Sequence, residues 1–218
     1  MTTDVALPRT QAAPRRRRSL RGSILHWFGI GCLMAATVIG GYIGWLLWGT
    51  GLTTSAYQRD ARPTFTKVIN TKDPQQAPPA GVLPLRGSAY AELIIPRIGL
   101  DYIVVQGTDE ESLKKGPGHY PDTADPWDAT GRVGIAGHRT TYLAPFYHLD
   151  SMQVGDPITL RTEYGTFDYR VTQVFVVPEA GSGSVLEQTK QPTLVLTTCN
   201  PRYSSSERLI VTADRIST

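Results

Sequence analysis

Two predicted strands and the loop between them lie in the stretch Thr193-Leu-Val-Leu-Thr-Thr-Cys199-Asn-Pro-Arg-Tyr-Ser-Ser-Ser-Glu-Arg208-Leu-Ile-Val-Thr212. Both strands are apolar and rich in β-branched residues, and Asn, Pro and Ser are typical of turns. If the strands pair as antiparallel neighbours, Cys199 and Arg208 face each other across the mouth of the loop. A permanent positive charge beside a thiol favours the thiolate, which is the reactive form. A buried structural Cys with an Arg on a solvated edge fits this stretch equally well.

Another predicted strand, earlier in the chain, ends beside a histidine. The apolar segment from Val133 to Ala136 is followed by Gly137 and then by His138. A strand end is a rigid place from which to present a side chain, and a glycine lets another backbone or a substrate come close. His138 alone also fits a surface or hydrogen-bonded structural residue. A single unpaired Cys with a distant His is, however, the pattern of a candidate thiol nucleophile and its base.

These residues resemble a known family. The segment Leu196-Thr-Thr-Cys199, Arg208 after a short loop, and Gly137-His138 about sixty residues earlier are similar to the sortases, the cysteine transpeptidases of Gram-positive cell surfaces. The family pattern is Thr-Leu-any-Thr-Cys, and this chain has Val195 in the first position. The longer strings Gly137-His-Arg-Thr-Thr-Tyr142 and Thr198-Cys-Asn-Pro-Arg-Tyr203 most resemble class E sortases of high-GC Gram-positive bacteria. The resemblance extends from about residue 89 to residue 216.

The resemblance implies both a fold and a chemistry. The fold is mainly β, an eight-stranded sortase-type barrel with short helices. Cys199 would attack a peptide carbonyl in a sorting signal of the Leu-Ala-any-Thr-Gly or Leu-Pro-any-Thr-Gly type and form a thioacyl intermediate after Thr. His138 would act as general acid and then base, and Arg208 would stabilise the oxyanion. The acceptor would be the amine of a cell-wall precursor of the lipid II type.

Three further residues are candidates for substrate binding. Tyr142, four residues after His138, is associated with a preference for Ala at the second position of the signal, although a surface aromatic packed on Phe146 is an equal alternative. Thr197 and Thr198 precede the nucleophile, where they would line the pocket, and Thr198 could also contribute to the oxyanion hole.

An apolar stretch from Ile24 to Trp48 is long enough to cross a bilayer as a helix. Arg15 to Arg18 and Arg21 come just before it, so the positive-inside rule predicts a cytoplasmic N-terminus and an extracytoplasmic domain after residue 48. A cleaved signal peptide is the alternative, but the apolar run is long for one and Thr54-Ser-Ala56 is a poor cleavage site. We therefore expect a single-pass membrane anchor.

The charges follow the same division. The first 23 residues hold six arginines and one aspartate, a net charge of +5; since the whole chain carries +3, the remainder carries −2. The basicity therefore belongs to the tail that sets the topology, and it does not predict nucleic-acid binding. Cys32 lies in the predicted span, so Cys199 has no disulfide partner outside. No histidine or cysteine occurs at metal-ligand spacing, and we expect neither a metal nor a cofactor.

The predicted organisation has four parts: a basic tail (1–23), a membrane anchor (24–48), a Pro-rich linker (49–87) and a catalytic domain (88–218). The stretch from Lys72 to Gly81 is apolar-poor and reads as an extended spacer, and part of the linker could also lie over the active site as a lid. Within the domain, seven segments favour strands and one, from Asp109 to Lys115, favours a helix with Asp109 as its N-cap. The predicted strands are 89–95, 102–106, 133–136, 157–162, 166–177, 194–198 and 208–213.

Two other classes of function fit part of the pattern. A secreted thiol peptidase would release the acyl group to water, and a non-catalytic barrel would only bind surface peptides. The complete set of Cys199, His138 and Arg208 argues against a simple binding module, because such a module needs none of the three. Transfer and hydrolysis are not separated by the sequence.

Overall fold

A computed structural model describes residues 20–45, 49–71 and 84–216 of the chain. The basic tail up to residue 19, the end of the predicted span at 46–48 and the Pro-rich stretch at 72–83 lie outside the described residues. The chain divides into two compact units, one ending at Ile43 and the other running from Gly44 to Thr218.

The first unit contains one long helix, α1 (Leu20–Gly44). Within it, Ser23–Gly44 is long and apolar enough to cross a membrane. Large apolar side chains such as Phe28, Leu33 and Val38 are about two-thirds exposed, and lipid is the surrounding that such a uniformly apolar helix favours. Length and composition therefore agree with the predicted span, which starts one residue later.

The second unit is built on eight strands that close into a barrel. Around the barrel the order is β1-β2-β3-β4-β7-β8-β6-β5, and β5 pairs with β1 to complete the ring. The pairs β2–β3 and β4–β7 are parallel, and the others are antiparallel. The strands are β1 (Ala89–Ile95), β2 (Leu100–Gln106), β3 (Gly118–His119), β4 (Arg132–Ala136), β5 (Pro157–Thr162), β6 (Gly165–Pro178), β7 (Thr193–Asn200) and β8 (Glu207–Arg215).

The barrel interior is filled by alternate residues of the strands, as the two-residue period of a strand requires. On β4, β7 and β8 the inward-facing side chains are aliphatic and belong to one buried cluster. They are Val133, Ile135, Leu194, Leu196, Leu209, Val211 and Ala213. The residues between them, including Thr197 and Ile210, therefore lie on the outer face of the barrel.

The predicted β-barrel is confirmed, and all seven predicted strands are present with boundaries that differ by at most two residues. The eighth strand, β3, is only two residues long and was not predicted from pattern, because two residues carry no periodicity. The short helix α3 (Glu110–Leu113) is present as well. Its N-cap is Asp109, whose carboxylate accepts a hydrogen bond from the Ser112 backbone N–H at 3.0 Å.

A second long helix, α2 (Thr50–Thr71), lies in the segment assigned to the linker, and the sequence analysis did not predict it. It packs on β2 through buried polar contacts. The Gln58 side chain donates to the Ile103 carbonyl at 2.8 Å and accepts from the Ile103 N–H at 2.8 Å, so one amide pairs with both backbone groups. Arg62 forms ion pairs with Glu92 on β1 and Asp101 on β2 at 2.9 and 2.7 Å. These contacts make α2 part of the barrel unit.

Candidate active site

Three adjacent strands lead to the predicted site residues. In the antiparallel pair β7–β8, Cys199 is directly opposite Arg208. In the parallel pair β4–β7, the register ends where Ala136 is opposite Thr197, and His138 and Cys199 each follow two residues later along the chain. The order β4-β7-β8 therefore places Cys199 on the strand between Arg208 and the loop that carries His138.

Cys199 is a free, partly exposed thiol near the end of β7. The predicted antiparallel pairing that faces it with Arg208 is confirmed. Among the described residues the other cysteine, Cys32, lies in α1. An accessible thiol on a strand with a packed inner face is held firmly while its sulfur stays open to a substrate.

His138 lies in the loop after β4, two residues beyond the end of that strand. Its Nε2 atom is buried and, within the part of the chain that the structure describes, has no hydrogen-bond partner. Burial lowers the pKa of His138, and the negative charge of Glu110 opposes that shift. The imidazole is therefore biased towards its neutral form, in which one ring nitrogen can accept a proton. A buried, unpartnered polar atom costs stability, which is typical of a site built for function.

Gly137 is explained by a close approach of a ring and not of a substrate. A Cβ atom at Gly137 would lie 2.5 Å from the ring of Phe146, which is fully buried in the core. The Phe146 N–H also donates to the His138 carbonyl at 3.1 Å. The glycine thus allows the loop after β4 to fold back onto the barrel directly beneath His138.

Tyr142 lies against the imidazole. The centroids of the Tyr142 and His138 rings are 4.8 Å apart and the planes are tilted by 35°. Tyr142, Leu143 and Ala144 all have positive φ angles, between 45° and 61°, which side chains disfavour. The Tyr142 N–H donates to the Thr50 hydroxyl at 3.3 Å, and Leu143 lies at Gly51. The start of α2 therefore contacts the loop that carries Tyr142.

Arg208 is one-quarter exposed, and its guanidinium is held by the loop between β7 and β8. It donates to the carbonyls of Ser205 and Glu207 at 2.9 and 3.0 Å, and it faces the Glu179 carboxylate at 3.4 Å. These contacts hold the guanidinium on the strand position opposite Cys199.

The two threonines before the nucleophile face opposite sides of β7. Thr197 faces outward and its hydroxyl lies 3.0 Å from the Tyr120 hydroxyl. Thr198 donates its hydroxyl proton to the Gly137 carbonyl at 2.7 Å. Thr197 is thus placed where a substrate could contact it, whereas Thr198 ties the end of β7 to the end of β4.

A groove of about 240 Å³ lies on the outer face beside Thr197 and Arg208. Gly134 lets two of its lining side chains come close to the backbone, since a Cβ atom at Gly134 would lie 2.9 Å from Tyr120 and 3.1 Å from Leu186. The groove is lined by Tyr120, Ser182, Gly183, Val185, Leu186, Thr197, Arg208 and Ile210.

Sequence reasoning missed two residues of this region. Tyr120 follows β3 directly, and that strand itself carried no signal. Arg139 is 4% exposed and follows His138; burial lowers the pKa of its guanidinium, and the charge of Asp150 opposes that shift. Its place next to a candidate catalytic residue was the one available signal.

Among residues 20–45, 49–71 and 84–216, no group of three His, Cys, Asp or Glu side chains is arranged to hold a metal ion.

Comparisons with known proteins identify the family. The family model described as "Sortase domain" matches residues 93–216. The chain is 31% identical over 174 residues to Sortase D of Bacillus subtilis (strain 168), covering 78% of this chain and 86% of that protein. It is 31% identical over 139 residues to Sortase SrtE1 of Streptomyces coelicolor, covering 57% and 40%. The crystal structure of Sortase E1 from Streptomyces coelicolor with a tripeptide in the active site superposes with a TM-score of 0.56 at 29% identity, over 60% of this chain and 90% of that one.

The chain belongs to the sortase family of cysteine transpeptidases. The resemblance to sortases is confirmed, and the relatives include class E enzymes as well as a class D enzyme that matches a larger share of the chain.

Proposed function

We propose that this sortase is anchored in the membrane by α1, cleaves a sorting signal of the Leu-Ala-any-Thr-Gly or Leu-Pro-any-Thr-Gly type after Thr, and joins the acyl product to the amine of a lipid II-type cell-wall precursor. The observation that carries the proposal is the pairing of Cys199 with Arg208 on β7 and β8, next to the strand β4 that leads to His138. The groove lined by Thr197 and Arg208 supports a peptide as acyl donor.

The first half-reaction forms a thioester. The neutral imidazole of His138, whose lowered pKa favours this form, takes the thiol proton on a ring nitrogen while the sulfur of Cys199 attacks the Thr carbonyl carbon. Arg208 donates to the carbonyl oxygen as it gains negative charge, exchanging one of its loop acceptors for the substrate. The C–N bond then breaks, and the imidazolium gives its proton to the leaving amine.

The second half-reaction reverses the roles. The acceptor amine attacks the thioester carbon, His138 removes a proton from its nitrogen, and the sulfur of Cys199 leaves and is reprotonated. The groove beside Thr197 would hold the acyl part through both steps, and Tyr142, next to the imidazole, would contact the second residue of the signal. Thr198 would act by holding the ends of β4 and β7 together.

The proposed topology has the N-terminus in the cytoplasm and the barrel unit outside the cell. It rests on the apolar helix Ser23–Gly44 and on the arginines before it. In this arrangement the sorting signals of secreted surface proteins reach the enzyme on the outer side of the membrane.

The test uses the full chain in detergent micelles with a fluorescent Leu-Ala-any-Thr-Gly peptide, with and without an amine acceptor, and product analysis by mass spectrometry. We expect a ligated product that depends on the acceptor, and no turnover by Cys199→Ala. Turnover by Cys199→Ala would remove Cys199 as the nucleophile. Release of free acid at the same rate with and without the amine would identify a thiol hydrolase instead.

A further inference from the structure

Arg139 is a buried cation that touches the nucleophile's own backbone. Its Nη1 group donates to the Cys199 carbonyl at 3.2 Å and also to the Asn200 side-chain oxygen. Its Nη2 group forms an ion pair with Asp150 at 3.1 Å. Arginine is rarely buried unless it is paired, so these three acceptors explain how the charge is accommodated at 4% exposure.

The hydrogen bond from the Arg139 guanidinium to the Cys199 carbonyl takes the place of the next backbone hydrogen bond that β4 would donate to β7. At the end of the β4–β7 pair, the Gly137 N–H donates to the Thr197 carbonyl at 3.1 Å. A parallel ladder repeats every two residues, so its next donor would be the Arg139 N–H and its next acceptor the Cys199 carbonyl. The guanidinium of the same residue takes that acceptor instead. The backbone can therefore leave the sheet at His138 while the end of β7 stays bonded.

A second layer ties this contact to the surrounding loops. Asp150 also accepts from Arg202, at 2.8 and 2.9 Å to its two oxygens. Arg202 lies in the loop after Cys199; it donates to the Tyr147 carbonyl at 3.1 Å, and its guanidinium carbon lies 4.4 Å from the centre of the Tyr147 ring. One carboxylate thus joins the loop that begins at His138 to the loop that follows Cys199.

Stability alone does not account for Arg139. Its Nε–H is buried without an acceptor among the described residues, and buried ion pairs are often no more stabilising than apolar residues of similar size. What an apolar residue could not supply is the donor to the Cys199 carbonyl. We propose, on the basis of the function proposed above, that Arg139 is a positioning residue that holds the Cys199 thiol in register with the His138 imidazole for proton transfer.

The test compares two arginines that share one carboxylate. Arg139→Met removes the donor to the Cys199 carbonyl, whereas Arg202→Met removes a partner of Asp150 that does not reach Cys199. In the full chain, with the peptide and amine as substrates, Arg139→Met should lower kcat by up to about 10²-fold, since a misplacement of about 1 Å can cost that much. KM for the peptide should stay close to that of wild type, because Arg139 does not line the groove.

Arg139→Lys is the conservative variant and keeps the experiment decisive if Arg139→Met fails to fold. An ammonium keeps the charge but not the forked geometry that spans the Cys199 carbonyl and Asp150, so its kcat should lie between those of wild type and Arg139→Met. Arg202→Met should lose much less kcat than either variant at a similar thermal midpoint. Equal losses in the two Met variants, or a wild-type kcat in Arg139→Met, would overturn the positioning role.

Cys199→Ala in the same assay separates this inference from the proposed function. If Cys199→Ala is inactive and Arg139→Met keeps the wild-type kcat, only the positioning role fails. If Cys199→Ala turns over, the proposed function fails whatever the Arg139 variants do.

Discussion

Burial lowers the pKa of two histidines, the fully buried His119 and the half-buried His138, and they differ in their hydrogen bonds. His119, on β3, has a pKa of about 4. Its Nδ1 atom lies 2.9 Å from the Gln106 side-chain oxygen, its Nε2 atom lies 3.2 Å from the Ala124 carbonyl, and its ring stacks on Tyr90 with centroids 4.3 Å apart. His138 also lies against a tyrosine, yet its buried Nε2 has no partner among the described residues.

The comparison shows that a lowered pKa does not by itself identify a catalytic histidine. Desolvation shifts both groups in the same direction, because it penalises the imidazolium wherever the ring is buried. The hydrogen-bond state separates them: both ring nitrogens of His119 have partners, whereas the Nε2 atom of His138 has none among the described residues. Position agrees with this distinction, since His138 follows the end of β4, which pairs with the strand that carries Cys199.

The largest expected effect is on catalysis at the unsatisfied histidine. His138→Ala should lower kcat by about 10²–10⁴-fold, the usual contribution of general acid–base catalysis. Its thermal midpoint should stay close to that of wild type, because the Nε2 atom makes no hydrogen bond that the change would break. Steady-state kinetics and a thermal unfolding scan of the full chain measure both quantities. If His138→Ala stays active, or if His119→Gln loses as much kcat at neutral pH, the hydrogen-bond state does not distinguish the catalytic histidine from the structural one.

The next effect is on stability at the satisfied histidine. The pKa of His119 is about 4 in the folded chain and about 6.5 when exposed, so between these values the unfolded chain binds more protons and the folded state loses stability as the pH falls. This loss reaches about 3 kcal/mol at pH 4, at 1.36 kcal/mol per pKa unit, and it levels off as the pH falls further.

His119→Gln should remove that part of the pH dependence. The measurement is the free energy of unfolding by urea at pH 7 and pH 4.5 for wild type and variant. Each protein gives a change in this free energy between the two pH values, and the difference between the two changes is the contribution of His119. Parallel curves for the two proteins would mean that the folded chain protonates His119 as easily as the unfolded one.

The smallest effect concerns Tyr142, the tyrosine beside the His138 ring. Tyr142→Ala removes an aromatic contact to His138 of the kind worth about 0.5–1.5 kcal/mol, or about 2–10-fold in rate. We expect kcat/KM to fall by this factor for a Leu-Ala-any-Thr-Gly peptide and by less for the Leu-Pro counterpart. Equal losses for the two peptides would show that Tyr142 acts only by packing on the imidazole, and the assigned substrate contact would have to be withdrawn.

The sequence by itself determined the features that have a local signal. Apolar, β-branched runs bounded by turn residues located seven strands, Asp109 marked the N-cap of α3, and apolar length located α1. The antiparallel pairing of Cys199 with Arg208 also followed from sequence, because one short loop joins the two strands and leaves few other ways to pair them.

Only the tertiary structure decided what depends on distant partners. The strand β3 exists because its two residues bond to β2 and β4, and α2 lies on the barrel through Gln58 and Arg62, polar residues that sequence reasoning assigned to a linker. Arg139 was read as part of a motif, yet its role depends on a carbonyl sixty residues away. Strand periodicity is a property of neighbours along the chain, whereas a buried charge or a lone amide finds its partner only when the barrel closes, so the first could be read from the sequence and the second could not.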